Sequence, residues 1–229
     1  MDNIYFISGI DTGCGKTYIT GILAKYLYKS GIKVITQKLV QTGCVGLSED
    51  ILEHRRLMEC DIFADDKLGL TCPYVFKFPA SPYLAAKLEY KIIDINILEK
   101  TTYTLTNAYN VVLIEGAGGL HVPLTENLLI IDYIKQQNYR LILVASSKLG
   151  SINHTLLSVE SCHNHDIKLH SVIYNRLPES DEIIANDTFH VLEKYVKTLY
   201  PTTKIIDLIE PDVHKNVLDL FRININNLK

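Results

Sequence analysis

The sequence predicts an α/β protein built on a doubly wound, mostly parallel sheet with helices on both faces. Three observations predict it. Short β-branched apolar runs recur at residues 4–8, 33–37, 110–114, 140–145, 169–174 and 204–208, with segments of helical period between them at 17–30, 48–59, 81–89, 95–109, 151–163 and 187–199. Runs such as Val111-Val112-Leu113-Ile114 are apolar on both sides, as strands covered on both faces must be. A glycine-rich loop stands at the first strand-to-helix junction, beyond the carboxyl end of a strand, where such sheets bind ligands.

In chain order, the first strand runs into Gly9-Ile10-Asp11-Thr12-Gly13-Cys14-Gly15-Lys16-Thr17, and a helix follows at once. This is a phosphate-binding loop, and it makes the sheet one of the P-loop nucleoside triphosphatase type. Glycines turn successive backbone N–H groups inward around the phosphates, the helix N-terminus adds its partial positive charge, Lys16 reaches the β and γ oxygens, and the Thr17 hydroxyl ligates Mg²⁺. Thr12, Gly13, Cys14, Gly15, Lys16, Thr17 and the following Tyr18 are the candidate ATP contacts. The spacing is Gly-x₅-Gly-Lys-Thr, one residue longer than the commonest form.

Gly31 punctuates the end of the first helix, and the second strand delivers Lys38 beside the loop. An ammonium there can stabilise charge on a transferring phosphoryl group, and a plain surface lysine is the alternative. Asp50, in Ser48-Glu49-Asp50-Ile51, opens the next helix, where an acid serves capping and dipole needs or a metal. Pro79 and Pro82 punctuate the approach to helix 81–89. The strand 110–114 ends in Glu115-Gly116-Ala117-Gly118-Gly119, so Glu115 is expected at a strand tip as a second protein contact to Mg²⁺. Gly116, Ala117 and Gly118 would lie beyond it on the nucleotide side. Further on, Cys162-His163-Asn164-His165 imitates a metal site, but residues one and three apart do not converge as an i, i+4 pair does. Asp166-Ile167-Lys168 reads as a helix exit, so a solvated helix end is expected. The Asn-rich run 223–229 reads as a loosely held tail.

Whole-chain properties narrow the function classes. A length of 229 residues suits one large α/β domain, and no repeat or linker divides it. With 47% hydrophobic and 21% charged residues the chain is an ordinary globular protein. A net charge of −3 without a basic stripe argues against a nucleic-acid partner. No apolar run approaches the roughly 20 residues of a bilayer span, and the N-terminus carries no targeting pattern, so a cytoplasmic protein is expected. Five scattered cysteines without a Cys-x-x-Cys pair are expected to be reduced thiols.

Together the pieces resemble the dethiobiotin synthetase family from Tyr5 to Asn175. The resemblance rests on the long loop from Ser8 to Thr17, on Lys38 with Thr42, Ser81-Pro82, Glu115-Gly116-Ala117-Gly118-Gly119, Lys148-Leu149-Gly150-Ser151-Ile152-Asn153-His154, and Asn175. It implies a homodimer that closes the ureido ring of dethiobiotin from 7,8-diaminononanoate, CO₂ or bicarbonate, and ATP, through a carbamate and a carbamic-phosphoric anhydride. It also implies that Lys16 and Lys38 are the catalytic residues, binding phosphate and the carbamate, and that Thr17, Asp50 and Glu115 hold Mg²⁺. Asn175, with Arg176, would contact adenine. Thr42 stands where the family usually has a substrate-contacting serine, and Gly150, Ser151 and Asn153 at a helix N-terminus would receive the substrate carboxylate. The chain departs from the family pattern at Asn175-Arg176, usually Asn-Asp, and at Asp207-Leu208-Ile209-Glu210-Pro211, usually Gly-x-x-Pro. These departures predict a relaxed nucleotide preference.

Two other readings stand beside this one. An amide-forming synthase acting on corrinoid precursors is usually fused to a glutaminase domain, for which this chain has no room. A partitioning or regulatory ATPase switch carries an early second lysine in its loop, where this chain has Ile10 and Asp11.

Overall fold

Alternate residues of each central strand pack into two different cores, and that alternation fixes the architecture. Ile4 and Phe6 belong to one core and Tyr5 and Ile7 to the other; Val112 and Ile114 oppose Val111 and Leu113 in the same way. The computed structural model describes residues 3–177, 181–208, 217 and 219–221. Among them, β1 (Ile4–Gly9) leads through the phosphate loop into α1 (Lys16–Lys29), then β2 (Val34–Lys38), the short β3 (Gln41–Thr42) and α2 (Glu49–Met58). There follow α3 (Ala64–Lys67), β4 (Val75–Phe76), α4 (Pro82–Leu88), α5 (Ile95–Ala108) and the long β5 (Val111–Gly119). A hairpin of β6 (Pro123–Thr125) and β7 (Leu128–Leu129) precedes α6 (Ile130–Gln137) and β8 (Arg140–Ser146). The chain continues with α7 (Ser151–Asn164), β9 (Lys168–Asn175), α8 (Glu182–Leu199) and β10 (Lys204–Asp207).

Six strands form the central sheet in the order β10-β9-β8-β1-β5-β2, every neighbouring pair parallel. Both faces are covered. On one, α1 brings Ile19, Leu23 and Leu27 and α2 brings Met58; on the other lie Leu98 and Leu105 of α5, Ile131 and Ile134 of α6, Val159 of α7 and Leu192 of α8. The strand order reverses beside β1, so the carboxyl ends of β1, β2 and β5 open a crevice in which the phosphate loop sits.

The predicted sheet with two helix layers is present, with three corrections. β5 runs on through Gly119, so Glu115 lies inside a strand and not at its tip. The last helix begins at Glu182 instead of residue 187, because Asp181 caps it, its side chain accepting from the N–H groups of Ile183 and Ile184. The hairpin and α6 were not anticipated: Leu128-Leu129-Ile130-Ile131 is an apolar run without visible period, and it bridges a strand and a helix start. The Cys162 to His165 segment does close a helix, but Cys162 is fully buried while His163 and Asn164 are exposed. All five cysteines are free. Glu210-Pro211 and the tail 223–229 lie outside the described residues.

Candidate active site

The phosphate loop is shaped by glycines at the two points where a side chain could not fit. Gly15 caps α1 with φ 97°, and a Cβ there would stand 2.2 Å from Asn175 Nδ2. At Gly9 a Cβ would meet Cys14 Sγ at 2.3 Å and Lys16 Nζ at 3.0 Å. Lys16 is buried, its ammonium donating to the Asp11 carbonyl at 3.0 Å, and so arches back over the loop. From β8 onward, Lys148 reaches across to donate to the Gly13 carbonyl at 3.2 Å. The first N–H groups of α1 lack intrahelical partners, as at any helix start, and face the same crevice.

Beside the loop, strand register makes an ionic cluster. Lys38 and Glu115 are neighbours on β2 and β5, and Glu115 is also the neighbour of Ile7 on β1. Lys38 Nζ donates to Glu115 Oε1 at 2.8 Å and to the Gly116 carbonyl at 3.1 Å, and lies 2.5 Å from Asp50 Oδ2. Thr17 Oγ1 stands 3.2 Å from Asp50 Oδ1 and 3.0 Å from Glu115 Oε1. Asp50 reaches this point from the first turn of α2, whose start is fixed by Ser48 accepting from the Ile51 N–H and by Gln41 Oε1 accepting from Ser48 Oγ.

Burial and charge oppose each other here, and charge wins. Burial alone would push the Lys38 ammonium down, yet the Glu115 and Asp50 carboxylates hold it above the ordinary lysine value. Burial would raise Glu115, and the Lys38 charge with the His54 hydrogen bond holds it well below the usual carboxylate range. Both groups are therefore ionised at neutral pH. Thr17, Asp50 and Glu115 converge as three hard oxygen donors beside a phosphate loop, a donor set that fits Mg²⁺.

The structure brings most of the sequence candidates to one cavity of about 610 Å³. Thr12, Gly13, Gly15, Lys16, Thr17, Lys38, Thr42, Asp50, Glu115, Ala117 and Gly118 line it, together with the Ser81-Pro82 turn at the head of α4. Gly116 lies just beneath and offers its carbonyl to Lys38. Cys14 is buried under the loop and Tyr18 is half-buried on α1. Asn175 lies behind the loop, donating to the Cys14 and Leu177 carbonyls. The Arg176 guanidinium pairs with both carboxylate oxygens of Asp207, donates to Asn186 and lies over the Tyr174 ring. Gly150, Ser151 and Asn153 form the head of α7 and do not line this cavity; Ser151 is buried, whereas Gly150 and Asn153 are exposed.

Sequence reasoning gave no role to Gln41, to Lys148 or, above all, to His54. His54 is fully buried and its Nε2 lies 2.8 Å from Glu115 Oε2. Its signal was available: it follows Asp50 by four residues, one turn along the same helix face.

Comparison with known proteins sharpens the reading. The family model described as an AAA domain matches residues 3–206. The ATP-dependent dethiobiotin synthetase BioD 2 of Pasteurella multocida is 48% identical over 211 residues, spanning 91% of this chain and 99% of its own length. BioD of Chlorobaculum tepidum, with the same description, is 49% identical and spans 95% of this chain and 91% of itself. BioD 2 of Haemophilus influenzae is 53% identical over 81% of this chain and 97% of itself. Among solved structures, a ParA family ATPase from Chlorobium tepidum aligns over 97% of this chain and 93% of its own, at TM-score 0.50 and 12% identity. A MinC:MinD cell division complex from Aquifex aeolicus aligns over 96% and 94%, at TM-score 0.50 and 16% identity. At such identity these two speak to the fold alone.

Proposed function

The chain belongs to the ATP-dependent dethiobiotin synthetase family, and from that premise we propose that it makes dethiobiotin, in biotin biosynthesis, from 7,8-diaminononanoate, CO₂ and ATP with Mg²⁺. The observation that carries this reading is the convergence of Lys16, Thr17, Lys38, Asp50 and Glu115 on one cavity beside the phosphate loop.

In this reading one substrate amine adds to CO₂ and loses a proton, giving a carbamate. A carbamate oxygen then attacks the γ-phosphorus of ATP and expels ADP, forming the carbamic-phosphoric anhydride. The second amine attacks its carbonyl, phosphate leaves, and the ureido ring is closed. Lys16 and the loop N–H groups hold the β and γ oxygens in line for the displacement. The Lys38 ammonium, which already faces anionic oxygens, neutralises charge growing on the carbamate and the transferring group. Thr17, Asp50 and Glu115 would hold Mg²⁺, which when bound supplies charge neutralisation across the phosphates. Thr42 and the Ser81-Pro82 turn, which line the same cavity, would seat the diamine. Asn175 is the candidate contact to adenine, while Arg176, committed to Asp207, would act by holding the segment after β9.

The substrate carboxylate would be received at the head of α7 of a second subunit, which makes the enzyme a homodimer. What supports this is that Gly150, Ser151 and Asn153 stand outside the cavity that holds the other candidates. The test of the whole reading is direct. Purified protein with diaminononanoate, bicarbonate and Mg-ATP should release a product with the mass of dethiobiotin, one per ADP formed; ATP hydrolysis without that product would sink the proposal.

A further inference from the structure

Glu115 divides its two carboxylate oxygens between two tasks. Oε1 faces the cavity, where it accepts from Lys38 Nζ at 2.8 Å and lies 3.0 Å from Thr17 Oγ1. Oε2 faces away, to His54 Nε2 at 2.8 Å. An ionised carboxylate only accepts hydrogen bonds, so Nε2 of His54 carries the hydrogen and donates it. His54 is completely buried, and among the described residues its other ring nitrogen, Nδ1, has no hydrogen-bond partner. Native interiors seldom leave such an atom unpaired, and where they do a local requirement usually explains it. The requirement here is at Nε2. A glutamate carboxylate turns readily about its terminal torsion, whose wells are broad and two-fold. A donor fixed on one oxygen removes that freedom and aims the other oxygen.

We propose that His54 is a positioning residue for the metal site: by holding Oε2 of Glu115 it aims Oε1 at the point shared with Thr17 and Asp50. The inference rests on the reading of Glu115 as a Mg²⁺ contact. It makes α2 responsible for two of the three donors at once, since Asp50 contributes one directly and His54, a single turn later, orients another that comes from β5. A hydrogen-bonding partner of a metal-binding carboxylate typically governs metal affinity by about 10- to 100-fold.

Three substitutions test it. His54→Leu removes the donor, His54→Asn keeps a buried amide that is too short to reach Oε2, and His54→Gln places an amide nitrogen near the position of Nε2. Mn²⁺, titrated into each full-length protein saturated with a nonhydrolysable ATP analogue and followed by water-proton relaxation, reads metal affinity without turnover. Thermal unfolding is measured in parallel. The expected result is an affinity about 10- to 100-fold weaker for the Leu and Asn variants, with the Gln variant within about threefold of the parent. If Leu does not fold, the Asn and Gln pair decides alone. Lowered unfolding temperatures in the Leu and Asn variants with unchanged Mn²⁺ affinity would mean that His54 only satisfies a buried acid, and would overturn the proposal. Glu115→Gln separates the two failures: if it weakens Mn²⁺ binding while the His54 variants do not, only the role of His54 is wrong, and if it too leaves binding unchanged, both readings fall.

Discussion

Lys38 and Lys16 both carry an ammonium into the same cavity, but the structure gives them unequal second duties. Lys16 holds one backbone carbonyl, that of Asp11, whereas Lys38 is the cation between Glu115 and Asp50. Each lysine to alanine change should lower turnover by about 10²–10³, the usual cost of losing one charged donor at developing charge. Lys38→Ala should in addition lose about 3–5 kcal/mol of stability, because it leaves Glu115 buried without its cation, while Lys16→Ala should cost little. Urea unfolding beside steady-state assays checks this, and equal destabilisation of the two variants would contradict it. Lys38, Asp50 and Glu115 were legible as candidates in the sequence because each stands at the end of a predicted strand or the start of a predicted helix. Their pairing was not, since register between β2 and β5 is set by sheet assembly and leaves no mark in either segment. His54 was passed over because a lone histidine within a helix carries no distinguishing pattern, although its spacing from Asp50 was in view.

Among the elements, α2 is the one on which the site depends most. It rests on α1 where Gly21 faces Leu57; a Cβ at Gly21 would stand 2.4 Å from Leu57 Cδ1 and 2.9 Å from its Cβ. It is anchored on its other side by the buried Arg55, which makes two hydrogen bonds to Asp66 of α3 and one to Thr36 of β2. A larger residue at 21 must therefore push between the helices that carry Thr17 and Asp50. Gly21→Val should cost about 1–3 kcal/mol through overpacking and raise the Mg²⁺ requirement several-fold, without touching a nucleotide contact. Denaturant midpoints and a Mg²⁺ titration of activity check it; a stability loss with an unaltered Mg²⁺ requirement would show that the two helices yield without disturbing the site. Periodicity disclosed this helix and α5, and the structure adds that Ser48 caps the one and Asp94 the other. Periodicity did not disclose α6, where β7 and the helix share one unbroken apolar run, nor the early start of α8.

At the scale of the whole molecule, the proposed pairing of subunits has a test that uses symmetry. If the loop around Lys16 in one subunit works with the head of α7 in another, Lys16→Ala and Asn153→Asp subunits, each nearly inactive alone, should complement when mixed. Equal mixing with exchange gives about half mixed dimers, each with one intact site, and hence roughly a quarter of parental activity. A mixture as inactive as its parents, with exchange verified by mass, would put the site within one subunit. The sheet and its two layers were readable because strands apolar on both faces admit few other arrangements; the expectation of assembly between chains came only from the family likeness, since no single-chain pattern encodes it. The Lys38 ammonium wedged between Asp50 and Glu115 has a last consequence, for handling rather than catalysis. An acidic pocket that supplies its own counter-ion owes none of its fold to an external one. Dialysis against a chelator should thus leave the melting temperature of the nucleotide-free protein within about 2 °C, well under the shift expected of a structural metal, so the enzyme can be purified and stored metal-free and charged only when assayed.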